Sequence, residues 1–470
     1  MNQHKPLCFV IMPFGTKPDP VGGPDIDFDR IYNIAIRPAI EEADMEPIRA
    51  DEERVGGIIH EAMFERLLLC DYAIADLTTA NANVFYELGV RHTALPRTTL
   101  TIFAQHQRIP FDVNFLRSLP YALGENNGLD DKQALALRNA VSAKLRDLRR
   151  LNASQAPIDS PLFKLLSDWN PGQIAHDKTD TFRNRVQLNE TMKQRLTVIR
   201  EQYKQESTRK EAQESLQAFR EEIEPIDAAD NATLADMMLT YRALKDWNGM
   251  IDLYEAMPLI LKKQIMVREQ LGFAYNRRAG ENKSPTDRAE ALRILTDVDK
   301  QQGPSPETLG LIGRIHKDNW EEAIKADKLT LARGHLNKAI DAYRRGYLAD
   351  QRDAYPGINL LTLLDIRGDA ESLKEKSRLL PVVRFAVERR LAGTTPNYWD
   401  HATMLELSVL KTDEQQARNY LAETVAIIRE TWEPETTARN LKMIEKARQE
   451  RGEETAWLRK IIDELDNHSK

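Results

Sequence analysis

Asp76, Glu87 and the short segment Met12-Pro13-Phe14-Gly15 are the residues whose types and spacing suit chemistry on a sugar carbon. A carboxylate held ionised beside a second acid favours attack on, or stabilisation of, an oxocarbenium-like centre. In that arrangement Glu87 is the nucleophile or the electrostatic stabiliser. Asp76 orients a sugar hydroxyl or helps to protonate the departing base. Paired carboxylates in glycosidases give the physical precedent. Asn83 reads as a helix N-cap, which puts Glu87 in the first turns, where the helix dipole favours an ionised carboxylate. The plainer assignment stays open beside this one: Glu87 caps its own helix and Asp76 caps a turn.

These residues need elements to hold them, and the first 125 positions alternate strand and helix patterns. Leu7–Met12 is a continuous apolar run, as a strand buried on both faces reads. Helical spacing follows over Phe28–Ala43, then a weak second strand at Pro47–Ala50 and an amphipathic helix at Ile58–Leu69. Tyr72–Ala75 is the third strand, Val84–Leu95 the third helix and Leu100–Phe103 the fourth strand. A fifth short strand fits Leu119–Leu123, and Asp130–Arg150 reads as a closing helix. The pattern predicts a doubly wound parallel five-stranded sheet of the flavodoxin type in order 2-1-3-4-5. Ligands of such sheets bind beyond the carboxyl ends of the first and third strands. Met12–Gly15 and Asp76-Leu77-Thr78-Thr79 lie there.

Asn152–Pro161 combines small, polar and proline residues, and Trp169-Asn170-Pro171-Gly172 is a further break. Residues 1–150 are therefore expected as the α/β domain, 151–181 as a linker and 182–470 as a helical domain. In the last of these, Ala291, Leu295 and Val298 follow a small–large–small spacing. So do Ala339, Tyr343 and Gly346, and more loosely Ala417, Leu421 and Thr424. Leu271-Gly272-Phe273-Ala274-Tyr275 and Leu311-Ile312-Gly313-Arg314-Ile315 read as first helices of such pairs. Small residues at these points let paired helices approach closely, which predicts a tetratricopeptide-like helical solenoid, with an irregular helical bundle as the plainer alternative.

Charged residues are 30% of the 470-residue chain and its net charge is −7, which argues against a nucleic-acid binder held by phosphate contacts. Cys8 and Cys70 are the only cysteines and sit in apolar surroundings, so a disulfide framework is excluded. No run approaches the about 18 apolar residues of a membrane span, and a cytoplasmic protein is expected. Asp25, Asp27 and Asp29 begin like a calcium loop, but Arg30 and Ile36 stand where Gly and Glu are needed. No metal site or bound cofactor is expected, and His92 reads as structural.

The strings CFVIMPFG, FDRIY and IADLTTANANVFYELGVRH resemble the TIR-like, nucleoside deoxyribosyltransferase-like superfamily over residues 7 to about 115. The resemblance implies that Glu87 attacks the sugar C1′ of a nucleotide or NAD-like ligand and that Asp76 contacts the sugar. It makes Met12, Pro13, Phe14 and Gly15 the ligand loop, puts Asn83 and Tyr86 at the mouth, and implies a homo-oligomer. Transferase members often carry an acid where this chain has Asn81, which points to a hydrolase or a binder. The C-terminal half resembles the TRAFs-binding region of the apoptosis-signal-regulating MAP kinase kinase kinases, most clearly over Ala339–Leu364 with Tyr355-Pro356-Gly357-Ile358-Asn359. No kinase motif is present in these residues. Together the resemblances imply signalling or defence against phage. On these resemblances the α/β domain is expected to bind a nucleotide or NAD-like ligand and to cleave its N-glycosidic bond, and the repeats to recognise a partner protein or a regulatory nucleotide. A catalytically silent scaffold, or a nucleotide sensor acting through oligomerisation, is the alternative.

Overall fold

The computed structural model describes residues 5–20, 23–49, 59–107, 118–151, 156–166, 191–392 and 397–469. The break expected at Trp169–Gly172 lies outside these residues, as do Ala50, Ile58 and the onset of the helical region near Phe182. The chain divides into two compact units, Met1–Thr240 and Tyr241–Lys470, a boundary later than the sequence suggests.

In the first unit, strands β1 (Leu7–Ile11), β2 (Glu46–Arg49), β3 (Tyr72–Asp76), β4 (Thr99–Ala104) and β5 (Leu119–Tyr121) form one sheet in the order β2-β1-β3-β4-β5. Every pairing is parallel, with Phe9 opposite Ile48 on one side and Ala73 on the other. Side chains alternate across a strand, so β1 feeds two cores. Cys8 and Val10 pack with Ile31, Ile40 and Val141, whereas Leu7, Phe9 and Ile11 pack with Met63, Leu67, Val84 and Leu88. Helices α1 (Phe28–Ile31) and α2 (Arg37–Glu42), joined through a π-helical segment Tyr32–Ile36, cover the first face with α5 (Asp131–Arg150). Helices α3 (Ile59–Leu69) and α4 (Ala82–Ala94) cover the second. This is the doubly wound arrangement expected.

Two features of this unit were not expected. Thr16–Lys17 and Ile26–Asp27 pair as a small antiparallel ribbon after β1. Residues 156–166, inside the segment read as a linker, are tied to the α4–β4 connection instead. Thr99 N donates to Asp159 Oδ2 at 2.8 Å, and Ser160 Oγ donates to the carbonyl of His92 at 2.6 Å.

The second unit is helical throughout its described residues. Its principal helices are α6 (Trp247–Ala256), α7 (Ile265–Asn282), α8 (Pro285–Gln302), α9 (Pro306–Lys325), α10 (Leu329–Ala349), α11 (Ala354–Arg367), α12 (Ala370–Leu391), α13 (Tyr398–Leu410), α14 (Glu414–Ala426), α15 (Trp432–Glu450) and α16 (Ala456–Asn467). Neighbours pack as hairpins, α7 on α8, α9 on α10, α11 on α12, α13 on α14 and α15 on α16. The first helices also touch one another in succession, from α7 to α9, α11, α13 and α15. Each hairpin thus buries its apolar face against the next, as repeat architectures do.

Glycine positions explain the closeness. A Cβ on Gly272 of α7 would meet Leu295 of α8 at 2.8 Å, and one on Gly313 of α9 would meet the Tyr343 ring of α10 at 2.9 Å. The small–large complementarity read from spacing is therefore a direct contact in both hairpins. Ser284 and Ser305 cap α8 and α9 through their side chains, each followed by proline in the first turn, where a missing N–H costs nothing.

Candidate functional site

The loop after β1 is held from below. Gly15 has φ +62°, a conformation that favours glycine, and its N–H donates to Asp29 Oδ1 at 3.0 Å. Its carbonyl accepts from Phe28 N at 3.1 Å, which fastens the loop to the start of α1. Asp29 also receives Arg49 Nη2 at 2.6 Å. The Arg49 guanidinium lies 4.3 Å from the Tyr32 ring centroid and 5.6 Å from that of Phe14. Met12 and Pro13 are buried, so Phe14, 39% exposed, and the backbone of Gly15 are what this loop offers to a ligand. Two of the three aspartates of the calcium-like run have local duties: Asp27 caps α1, and Asp29 holds Gly15 and Arg49.

Between the two strands of the ribbon, Asp19 accepts from Gln107 Nε2 at 2.6 Å and from Asn127 Nδ2 at 2.8 Å. The loop after β1 is thereby tied to the loops that follow β4 and β5.

Asp76 ends β3 with 1% of its surface exposed. Its Oδ1 accepts from Thr78 N at 3.0 Å and from the Thr78 hydroxyl, and its Oδ2 accepts from the Tyr121 hydroxyl at 2.9 Å. Thr78 Oγ1 in turn accepts from Ala104 N at 3.0 Å. The carboxyl group therefore closes the turn after β3 and links it to β4 and β5. Burial pushes its pKa up to about 6, against the opposing pull of the Thr78 and Tyr121 hydrogen bonds.

Helix α4 carries the remaining candidates, and here the cap differs from the expected one. Asn81, not Asn83, is the N-cap: its Oδ1 accepts from Asn83 N at 2.9 Å and from Val84 N at 3.4 Å. The helix begins at Ala82, which makes Glu87 its sixth residue. The dipole acts mainly within the first turn, so it does not hold Glu87 ionised as expected. Burial dominates and pushes Glu87 up to about 7. No described residue makes a hydrogen bond or ion pair to Glu87, and the side chain is half-buried. Asn83 is exposed. Tyr86 is 59% exposed and sets its ring edge-on to Phe64 of α3, with centroids 6.4 Å apart.

The structure thus gathers Met12 and Phe14 around Arg49, and Asp76 around Thr78 and Tyr121, without joining Asp76 to Glu87 by any hydrogen bond. Arg49 and Tyr121 were missed by sequence reasoning. Each lies at the carboxyl end of a strand, β2 and β5, whereas the switch-point argument singles out only the first and third. His92 is buried and pushed down to about 4, chiefly by desolvation, which keeps it neutral. Among the described residues no group of three or more His, Cys, Asp or Glu is arranged to hold a metal, and no helix is long and apolar enough to cross a membrane.

Comparison with known proteins identifies the larger part of the chain. Residues 84–463 match the model of the MAP3K TRAFs-binding domain, so the match starts within α4 and takes in Glu87. The chain is 32% identical over 246 residues to the mitogen-activated protein kinase kinase kinase nsy-1 of Caenorhabditis elegans, covering 49% of this chain and 16% of that protein. It is 26% identical over 264 residues to mitogen-activated protein kinase kinase kinase 15 of Mus musculus, covering 55% and 19%. Over 352 residues it is 23% identical to mitogen-activated protein kinase kinase kinase 6 of Homo sapiens, covering 71% and 26%. The chain therefore spans about a quarter or less of the length of these relatives. A tetratricopeptide repeat protein from Parabacteroides merdae aligns with 60% of this chain and 99% of its own, at 14% identity and a TM-score of 0.32. The chain belongs to the MAP3K TRAFs-binding domain family.

Proposed function

We propose that this is a signalling protein whose helical unit engages a partner protein and whose α/β unit binds a nucleotide or NAD-like ligand and cleaves its N-glycosidic bond. Family membership supports the first half, because the matched region spans the helical hairpins. One observation carries the second half: Glu87 is a desolvated carboxyl group with no hydrogen-bonding partner among the described residues, on the helix that follows β3. Leaving such a group unpaired in the fold costs stability, and sites of chemistry are where that cost is commonly met.

A pKa near 7 fits the proposed role when a charged base is bound. A cationic leaving base beside Glu87 lowers its pKa, so the carboxylate forms where positive charge develops on the sugar carbon. Phe14 offers a ring on which a base can stack. Asp76, with both oxygens engaged inside the fold, acts in this reading by positioning the β3 turn. The resemblance to TIR-like and deoxyribosyltransferase-like domains supports the same assignment.

A second reading has its own observation. The engaged carboxyl group of Asp76 leaves Glu87 as a lone acid, which suits a silent domain that binds without turnover. Chromatography after incubation with NAD and with nucleoside mono- and triphosphates separates the two. The proposal predicts release of a free base from at least one of them, lost in Glu87→Gln. Absence of any released base from the intact chain contradicts the catalytic half.

A further inference from the structure

The inner face of the helical unit holds a groove of about 710 Å³ lined by α6, α7, α9 and α15, together with Arg242 just before α6. Its charges are unevenly matched. Each lining carboxylate has a partner: Asp318 pairs with Arg314, Glu322 with Arg288, Glu321 with Arg439, and Glu281 accepts from Trp247 Nε1. Arg242 and Arg277 do not share in this. Their guanidinium groups lie 4.4 Å and 4.9 Å from the centroid of the Phe273 ring, and no described carboxylate is within ion-pair distance of either. Arg242 has only the neutral Gln270 side chain, at 2.9 Å. Although both side chains are exposed along the groove, the protein packed around their charged heads lowers the pKa of each by desolvation, against the weaker opposing pull of Glu307 on Arg242 and of Asp318 on Arg277.

Asn276 supplies an independent sign of an absent ligand. It lines the same groove at 7% exposure, its Nδ2 donates to Asp318 Oδ2 at 3.0 Å, and its Oδ1 has no hydrogen-bond partner. The Asp318 carboxylate fixes the orientation of the amide, since the flipped form would set oxygen against oxygen. An orphaned buried acceptor is costly, and an N–H donor relieves it.

From this geometry we infer that the groove binds an acidic peptide segment of the partner protein, with side-chain carboxylates on Arg242 and Arg277 and a backbone N–H on Asn276 Oδ1. The inference rests on the reading of the helical unit as a partner-binding module. A peptide carries both required groups, spaced along a chain that follows the groove across successive helices. A triphosphate concentrates its charge, and in this groove would meet the carboxylates of Asp318, Glu321 and Glu322.

The test is fluorescence anisotropy of a labelled alternating glutamate–leucine peptide titrated with the full chain, beside lysine–leucine and serine–leucine peptides. The acidic peptide should bind, weaken as salt rises, and weaken roughly tenfold or more in Arg242→Ala/Arg277→Ala. Both arginines are exposed, so the double variant should keep the thermal stability of the parent. The inference is overturned if the acidic peptide does not bind, if the double variant binds it equally, or if ATP displaces it at lower concentration than unlabelled peptide does. Equal binding of the neutral or basic peptide by the parent and the double variant would overturn the groove while leaving a protein-binding helical unit. Failure of all three peptides to bind would count against both readings.

Discussion

Arg91 in the α/β unit and Arg277 in the helical unit are the same side chain put to opposite uses. Arg91 is fully buried on α4, and its guanidinium reaches the carbonyls of Leu67 and Cys70 at 2.8 Å and of Asp71 at 3.3 Å. The hydroxyls of Thr98 and Thr99 complete the set, so the charge sits at the carboxyl end of α3, where the dipole favours a cation. Arg277 stands in an open groove against an aromatic ring, with no carboxylate within ion-pair distance among the described residues. Asp76 and Glu87 repeat the contrast among acids, one with both oxygens engaged and the other alone. A charge that builds the fold is thus recognised by the atoms that surround it. A charge available to a ligand is recognised by the partners it lacks.

The comparison is broken most forcefully at its structural members. Arg91→Leu leaves the ends of α3 and the start of β3 without their donors. Each orphaned buried acceptor costs about 1–3 kcal/mol, so a loss of about 3 kcal/mol or more is expected in urea unfolding. An unchanged midpoint would show that Arg91 is not an anchor. In the helical unit the counterpart is Asp365, 1% exposed, which accepts from Lys376 Nζ at 2.6 Å and from Arg448 Nε at 3.1 Å. Asp365→Asn strips the counter-charge from the buried Arg448 and the half-buried Lys376 and should cost about 3 kcal/mol. Burial alone would raise the pKa of Asp365, but Arg448 and Lys376 outweigh it and hold the group below its usual range. Its contribution is therefore complete above the ordinary carboxylate pKa and is lost as pH falls through the lower folded value. The variant and the parent should converge in stability at strongly acid pH.

A smaller effect tests the hairpin packing. Gly313→Ala drives a methyl group against Tyr343 and should cost about 1–3 kcal/mol. Gly280→Ala, on the open side of α7, has no atom within 4 Å of the new carbon and should cost nothing measurable. The smallest change belongs to Glu87→Gln. The raised folded pKa makes ionised Glu87 a burden that builds as pH rises from the ordinary carboxylate value to about 7 and is complete above it. Solvent screening of the half-buried side chain cuts the full value of about 3 kcal/mol, so the variant should exceed the parent by about 1 kcal/mol at pH 8 and match it near pH 4. A deficit at pH 8 would mean that the carboxylate is stabilised by a partner after all.

The order of the five strands was legible because β1 is apolar on both faces and because helix and strand periods alternate with short connections. The repeat pairs were legible because Gly272, Gly313 and their large partners leave a spacing in the sequence. Local hydrogen bonding was harder to read. Both Asn81 and Asn83 can cap a helix, and only the position of the first turn distinguishes them. Glu87 was expected to be ionised because the dipole is visible in sequence and the burial that overrides it is not. Arg49 and Tyr121 could not be found, since Arg49 meets Asp29 of α1 and Tyr121 meets Asp76 of β3 only once the elements are packed together. The arginine groove stayed hidden for the same reason: Arg242, Arg277 and Asn440 belong to one groove only when the hairpins are stacked.

The account stands or falls on whether the α/β unit takes a nucleotide-type ligand at all. The direct measurement is thermal unfolding of the parent chain and of Glu87→Gln with and without NAD and the common nucleotides. A ligand at about 100 times its dissociation constant should add about 2.7 kcal/mol of stability. The account predicts that gain in both proteins for at least one member of the panel. Unfolding curves that no member of the panel displaces, in either protein, would contradict it.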